Sequence, residues 1–291
     1  MNKIYTDIAD RILSMLEAGD LPWNKPWSSI GGNGMPRNAV TKRAYSGVNV
    51  ILLWAKAMAS GYASQQWLTY KQAVELGGNV RKGEKGTHIC FVSSFEKKTD
   101  AGETERVPFL KSYTVFAVEQ CDGLNLPAAP VVTVNPGQRD ADCDAFIAAT
   151  GADIRHGSGE ACYMRKLDCI MLPDFAAFAS SNGYYATALH EIVHWTGAPH
   201  RLDRTKGKVF GDIAYAAEEL VAELGSAFLC AEFGYDTVTQ SAAYIQSWIK
   251  MLKDDPRAFI TAASAASKAT EYLRGLALAE APAPVEIAEA A

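Results

Sequence analysis

The segment His190-Glu191-Ile192-Val193-His194 limits the fold of this chain more than any other feature of its sequence. Residues four positions apart lie on one face of an α-helix, with their Cβ atoms roughly 5–6 Å apart. Two imidazoles placed in this way can bind one Zn²⁺ ion, and Glu191 lies beside them, where its carboxylate can accept a proton from water that the ion binds. We therefore predict a helix over Ala186–Thr196 that ends at Gly197.

This pattern is typical of zincin metallopeptidases, in which the metal takes a third protein ligand. One candidate is His200, which continues the spacing as His194-x-x-Gly197-x-x-His200. The metzincin arrangement that has this spacing also needs a methionine turn after the third histidine. The one methionine after His200 is Met251, in a segment predicted to be helical, so the pattern is incomplete. The other candidate is a glutamate on the following helix, which is the gluzincin solution.

Glu219 and Glu223 lie one turn apart on a helix predicted over 215–233, next to apolar positions of that helix. Carboxylates beside a core need a charged partner, because unpaired buried charge is costly, and a divalent ion would supply one. We predict that Glu219 is the third ligand and that Glu223 orients a histidine, with His200 and Glu223 left open as alternative ligands. Glu218 is expected to lie further round the helix. Such a donor set is expected to bind Zn²⁺, and it also accepts Mn²⁺ or Co²⁺.

The first half of the chain carries a local excess of positive charge. Between residues 25 and 85, nine Lys and Arg stand against two acidic residues, although the whole chain has a formal net charge of −5. Such an asymmetry suggests a polyanionic partner for this half alone. Aromatic residues are interleaved with the basic ones, and single-strand binders combine rings that stack on unpaired bases with cations that follow phosphates.

Two glycine-punctuated segments, 37–47 and 80–86, could present many of these side chains. The residues that we expect to contact single-stranded DNA each carry a positive charge or an aromatic ring: Lys42, Arg43, Tyr45, Trp67, Arg81, Lys82 and Lys85. The alternative interpretation is that the tryptophans pack in the core and the lysines only hydrate the surface. For Trp54, inside an apolar helix, a core position is expected.

The periodicity of the chain predicts an α+β fold in two domains. Helices are expected over Tyr5–Ala18, Val48–Ser60, a short segment capped by Thr69, Ala141–Ala149, Ala242–Leu252 and Ala258–Ala277, and strands over His88–Phe95, Ser112–Val118 and Cys169–Leu172. A polar connection is expected over Glu96–Val107. Prolines mark a linker, so an α/β single-stranded-DNA-binding domain is expected at 1–130 and a mainly helical, zincin-like metallopeptidase domain at 131–280, followed by a disordered tail at 281–291.

Several stretches together resemble ArdC-type antirestriction proteins of conjugative plasmids. They are Gly19–Trp27, Pro36–Asn38, Tyr45–Asn49, Trp67–Ala73, Gly77–Gly86, Tyr184–Tyr185, His190–Gly197, Arg201–Arg204 and Tyr215–Leu229. The resemblance implies a bipartite protein whose first domain binds single-stranded DNA and whose second is metallopeptidase-like. It also implies a role in protecting incoming plasmid DNA from host restriction during conjugation. The first domain is similar to one fused to some plasmid primases.

Two other functions fit the same residues. One is a zinc metallopeptidase that DNA recruits to a protein substrate, and the other is a binding protein whose metal is structural. The longest apolar run, 48–55, is far shorter than the roughly 18 residues that cross a bilayer, and the first ten residues do not resemble a signal peptide. A cytoplasmic location and no membrane partner are therefore expected.

Overall fold

The computed structural model describes residues 3–23, 34–98, 104–126, 138–204, 213–237 and 242–280. Its helices are α1 (Lys3–Ala18), α2 (Val48–Ser60), α3 (Tyr70–Glu75), α4 (Ala141–Ala149), α5 (Ser181–Trp195), α6 (Ile213–Phe233), α7 (Ala242–Asp254) and α8 (Ala258–Glu280). Its strands are β1 (Arg37–Asn38), β2 (Gln66–Leu68), β3 (Asn79–Val80), β4 (Thr87–Lys98), β5 (Thr104–Ala117), β6 (Cys121–Asp122), β7 (Asp153–His156), β8 (Cys162–Met164) and β9 (Cys169–Leu172). These elements confirm the predicted α+β class. The predicted linker and tail fall on 127–137 and 281–291, which lie outside the described residues.

The first half is built on a four-stranded sheet in the order β1-β2-β5-β4. Strand β1 is parallel to β2, and the remaining pairs are antiparallel. The hairpin β4–β5 stays paired as far as Lys98 opposite Thr104. The polar connection predicted over Glu96–Val107 was therefore too long, because both of its ends belong to the strands. An antiparallel ribbon is held by backbone hydrogen bonds, which do not require apolar side chains.

Local signals fix the helices around this sheet. Helix α2 ends at Gly61, whose φ of 67° lies in the left-handed region that glycine adopts without strain. Helix α3 begins with a capping box, in which the Thr69 hydroxyl accepts from the Gln72 N–H at 3.2 Å and the Gln72 side chain accepts from the Thr69 N–H at 2.9 Å. The predicted cap at Thr69 is thereby confirmed.

The second half places helices α4–α8 beside a three-stranded sheet in the order β7-β9-β8. Helix α5 begins at Ser181, five residues before the predicted start, because the Ser180 hydroxyl caps it by accepting from the Gly183 N–H at 3.1 Å. Helix α6 packs along α5. This pairing brings the two predicted metal-binding segments together.

Residues from both halves share one buried core. Helix α1 packs on α7 and helix α2 packs on α8. Trp23 is fully buried in the second half, with its ring 6.2 Å from that of Trp248 and 5.8 Å from that of Phe259. The Gly47 N–H also donates to the Ser267 hydroxyl at 2.7 Å. Among the described residues, no helix is both long and apolar enough to span a bilayer.

Candidate metal centre

Helices α5 and α6 approach each other closely beside the predicted metal site. A Cβ atom on Gly225 would lie 2.8 and 2.9 Å from the two γ-methyl carbons of Val193, which is closer than side chains pack. The missing side chain at Gly225 therefore permits the short distance between the helices.

The predicted ligands converge between these helices. His190 Nε2 lies 3.7 Å from Glu219 Oε2, and His194 Nε2 lies 3.5 Å from Glu219 Oε1. One donor atom from each of the three residues falls within 4.8 Å of the others. Two imidazole nitrogens and a carboxylate oxygen are the donors that zinc and related divalent ions take, so the arrangement can hold such an ion.

Two further carboxylates lie on the Nδ1 side of the imidazoles, one beside each ring. Glu218 Oε1 lies 3.4 Å from His194 Nδ1, and Glu223 Oε2 lies 3.9 Å from His190 Nδ1. The prediction for Glu223 matches this position. Glu218 was expected to lie further round the helix than Glu219. The crossing of α5 over α6, which spacing alone does not give, nevertheless brings its carboxylate beside His194.

The buried charges shift one another's protonation. Burial alone lowers the pKa of His194, but hydrogen bonds to Glu218 and Glu219 outweigh it and raise that pKa to about 10. Burial alone raises the pKa of Glu219, but its contacts with the two histidines bring the pKa well below the usual range. The pKa of Glu218 is lowered against burial by His194 and Arg204, whose guanidinium donates to the carboxylate at 3.1 Å. The carboxylates are therefore held ionised, as a metal ligand and its partner must be.

The first half of the chain also contributes to this site. The indole N–H of Trp23 donates to Glu223 Oε1 at 3.2 Å, while the other oxygen of Glu223 faces His190. Sequence reasoning missed this contact, because 200 positions separate the two residues and no local pattern links them.

Glu191 is buried with 9% of its surface exposed. Its negative charge is close enough to contribute to the raised pKa of the His194 imidazole and of the Cys162 thiol. It therefore lies in the neighbourhood of the ligand group, as its place in the motif requires.

His200, the alternative third ligand, lies elsewhere. Its side chain is 62% exposed and sits 3.2 Å from Asp168, in a cluster organised by Arg201. The Arg201 guanidinium stacks 3.8 Å from the Trp195 ring and bonds to Asp168 and to the Trp195 carbonyl. This cluster fixes the end of α5, and within the described residues it is separate from the group formed by His190, His194 and Glu219.

Most of the predicted DNA-binding residues lie on two loops. Lys42 and Arg43 are exposed on the loop after β1, and Tyr45 lies beside them with 9% of its surface exposed. Lys82 and Lys85 are exposed on the loop before β4.

Two of the expected DNA contacts are engaged within the protein. Arg81 lies on the loop before β4 and is held by Glu84 at 2.9 Å, by Asp122 at 3.5 Å and by the Glu119 carbonyl at 2.5 Å. Trp67 is fully buried and packs edge-on against Tyr62, so its ring offers no face to a base, and it has a packing role.

Two family models match the chain. One describes the N-terminal domain of the anti-restriction factor ArdC and matches residues 2–116, and the other describes zincin-like metallopeptidases and matches residues 141–265. A protein of Sinorhizobium fredii called uncharacterized protein y4eC is 38% identical over 281 residues, which cover 93% of this chain and 91% of that protein. DNA primase TraC of Escherichia coli is 39% identical over 290 residues, which cover 92% of this chain and 27% of the primase. The chain thus spans about a quarter of that primase.

Solved structures give the same assignment. The metal-free crystal structure of the antirestriction protein ArdC from plasmid R388 superimposes with a TM-score of 0.83 at 45% identity, covering 94% of this chain and 98% of that one. The Mn(II)-bound structure of the same protein gives a TM-score of 0.80 at 44% identity, covering 94% and 97%. The chain therefore belongs to the ArdC family of antirestriction proteins, with an ArdC-type N-terminal domain and a zincin-like C-terminal domain.

Proposed function

We propose that this chain is a cytoplasmic antirestriction factor that binds single-stranded DNA with its first half and Zn²⁺ with His190, His194 and Glu219. The observation that carries the proposal is the convergence of these three side chains in a chain that matches an antirestriction protein over nearly its whole length. In this role the protein would protect plasmid DNA that enters a new host as a single strand.

The charge of the site favours a divalent ion. Four buried carboxylates surround the two imidazoles, namely Glu191, Glu218, Glu219 and Glu223. When all four are ionised, Arg204 offsets one of the four negative charges. A divalent ion would offset two more, and it would replace the proton that otherwise lies between the His194 imidazole and its carboxylates.

Each of these side chains would have a distinct role in the site. The two Nε2 atoms and the Glu219 carboxylate would hold the ion, while Glu218 and Glu223 keep the imidazoles in the orientation that directs those nitrogens inward. When bound, the ion supplies a Lewis acid that polarises a carbonyl oxygen and makes water more acidic. Glu191 is the carboxylate available to accept a proton from an attacking water.

Elemental analysis of the purified protein tests the ligand set. We expect metal in the unaltered protein and in His200→Ala, and loss of metal in His194→Ala and in Glu219→Ala. Retention in Glu219→Ala together with loss in His200→Ala would replace this ligand set with the alternative one.

Binding experiments at several salt concentrations test the DNA-binding half. We expect a preference for single strands over duplex and an affinity that falls as salt rises, because phosphate contacts release counterions. An affinity that does not depend on salt, or a preference for duplex, would contradict the proposal.

A second candidate is a peptidase that DNA recruits to a protein bound there, which the zincin-like domain and the position of Glu191 favour. Glu191→Gln separates the two candidates, because it removes the proton acceptor and leaves the ligands in place. If protection of incoming DNA persists in this variant, protection does not depend on peptide hydrolysis. If protection is lost while metal and DNA are still bound, the peptidase account is favoured.

A further inference from the structure

A cleft of about 660 Å³ opens between the β4–β5 hairpin, helix α3 and the loop after β1. Its lining includes the aromatic residues Tyr45, Phe91 and Tyr113 and the basic residues Arg43 and Lys71. We propose that this cleft binds unpaired bases of single-stranded DNA by stacking on Phe91 and Tyr113, while Arg43 and Lys71 hold the adjoining phosphates. The inference rests on the proposed DNA binding and gives it a location.

The two aromatic rings are unusually accessible for their size. Phe91 is 45% exposed and Tyr113 is 44% exposed, and their rings meet edge to face with centroids 5.4 Å apart and planes at 84°. Removing a large apolar ring from water lowers the free energy. An exposed pair of rings inside a cleft is therefore a favourable surface for a flat partner. Nucleobases present such flat faces when they are unpaired.

The register of the hairpin explains why the rings share the cleft. Ile89 pairs with Tyr113 and Phe91 pairs with Lys111, and residues directly opposite in an antiparallel pair lie on the same face. Ile89 is buried, whereas Tyr113 directly opposite it and Phe91 two residues further along β4 are both exposed. Lys111 comes to the same face as the rings, which adds a positive charge beside them.

The basic residues at the rim of the cleft are accessible to phosphate. The Arg43 side chain is exposed to solvent. Lys71 pairs with Glu75 at 3.6 Å, but both side chains are largely exposed, at 86% and 57%. Exposed ion pairs of this kind contribute little stability, so a phosphate can replace Glu75 at small cost.

The polar lining indicates weak sequence preference. Gln72 and Asn38 line the cleft, but the Asn38 amide donates to the Gln72 side-chain oxygen at 3.1 Å, and Gln72 also serves the α3 cap. Their hydrogen-bonding groups are therefore largely engaged with each other. These two amides are therefore poorly placed to select one base, and stacking combined with charge is typical of sequence-tolerant single-strand binders.

Affinity for a short dye-labelled oligothymidylate, measured with the full chain by fluorescence anisotropy, tests the proposal. Phe91→Ala and Tyr113→Ala are each expected to weaken binding on the order of 5- to 150-fold, because each removes one stacking platform. Arg43→Gln and Lys71→Gln are each expected to flatten the dependence of log affinity on log salt by about 0.7, the value for one phosphate contact on a single strand.

Matched controls separate stacking from general damage. Tyr70→Ala removes an aromatic ring that is 59% exposed but does not line the cleft, so this variant is expected to bind like the unaltered protein. An abasic strand of the same length is expected to bind weakly, and Tyr113→Ala should not weaken it further.

The outcomes are distinguishable. If the unaltered protein binds oligothymidylate and the Phe91→Ala and Tyr113→Ala variants bind it equally well, the cleft is not the site while the proposed function stands. The same conclusion follows if Tyr70→Ala weakens binding as much as Tyr113→Ala does. If the unaltered protein fails to bind any single strand in dilute buffer, the proposed function itself is wrong.

Discussion

At the scale of single residues, the candidate metal centre depends on groups that do not face the metal position. Glu218 and Glu223 hold the Nδ1 sides of His194 and His190, and such outer contacts fix the ring orientation and tautomer that a metal needs. The sequence could place the two histidines on one helix face because the spacing of four residues is a local rule, whereas Glu219 lies on another helix and the sequence left His200 and Glu223 open as alternatives to it. Trp23 could not be predicted, because its contact with Glu223 exists only after the first half has packed on the second.

Trp23→Phe tests this outer contact. The substitution keeps an aromatic ring in the core but removes the N–H that donates to Glu223, so the carboxylate loses one of the contacts that position it beside His190. We expect Zn²⁺ affinity to fall by about 10- to 100-fold, the usual effect of losing such a partner. Competition with a chromogenic chelator measures the affinity directly.

Trp54→Phe is the matched control for that experiment. Trp54 is also buried, and its indole N–H donates to the Gly34 carbonyl at 2.6 Å, away from the metal centre. We expect this variant to lose stability but to keep its affinity for Zn²⁺. An equal loss of affinity in the two variants would mean that Trp23 acts through general packing.

At the scale of elements, the approach of α5 to α6 depends on Gly225. In Gly225→Ala the new methyl group would collide with Val193, which is fully buried and has a stiff, branched side chain. Overpacking costs roughly 1–3 kcal/mol, and the better helix propensity of alanine returns about 1 kcal/mol. We expect a net loss of up to about 2 kcal/mol in the free energy of unfolding, measured by urea denaturation of the metal-free protein.

Gly275→Ala in α8 is the control. No atom lies within 4 Å of a Cβ placed on Gly275, so helix propensity alone acts there and stability should rise by about 0.5–1 kcal/mol. Adding Val193→Ala to Gly225→Ala should cost less than Val193→Ala does alone, because the two side chains compete for one space. Additive losses would show that the helices do not meet at this point.

Local sequence signals predicted the helices better than the strands. Helices α2 and α4 were found with their observed bounds, because apolar periodicity and capping residues act within a few positions. The β4–β5 hairpin was predicted too short, since its backbone hydrogen bonds need no apolar alternation in the sequence. The cleft residues Phe91 and Tyr113 were also missed, because their exposure depends on strand register and on the position of α3.

At the scale of the whole molecule, metal binding is expected to stabilise the fold. The centre joins α5 to α6 and reaches the first half through Trp23, so an ion that binds only the folded state adds to its stability. Zn²⁺ at about 100 times its dissociation constant should add about 2.7 kcal/mol to the free energy of unfolding. Thermal unfolding with and without a chelator measures this gain, and His194→Ala should abolish it. A gain that survives in His194→Ala would place the ion elsewhere.

The shared core predicts that the two halves unfold together. Trp23 fills a space lined by Trp248 and Phe259, and α1 and α2 cover faces of α7 and α8. A fragment of residues 131–280 would leave that space empty, and losing a buried tryptophan costs roughly 3–5 kcal/mol, a large share of the 5–15 kcal/mol typical of a domain.

We therefore expect the full chain, kept in excess Zn²⁺, to unfold in urea in a single transition that far-ultraviolet circular dichroism and tryptophan fluorescence report at the same midpoint. The fragment should be less stable by at least about 3 kcal/mol, since it also lacks the donor to Glu223 that supports His190. Two separate transitions in the full chain, with the fragment reproducing one of them at an unchanged midpoint, would show that the zincin-like half is stable without Trp23. In that case the contact between Trp23 and Glu223 would not be needed to keep the metal centre folded.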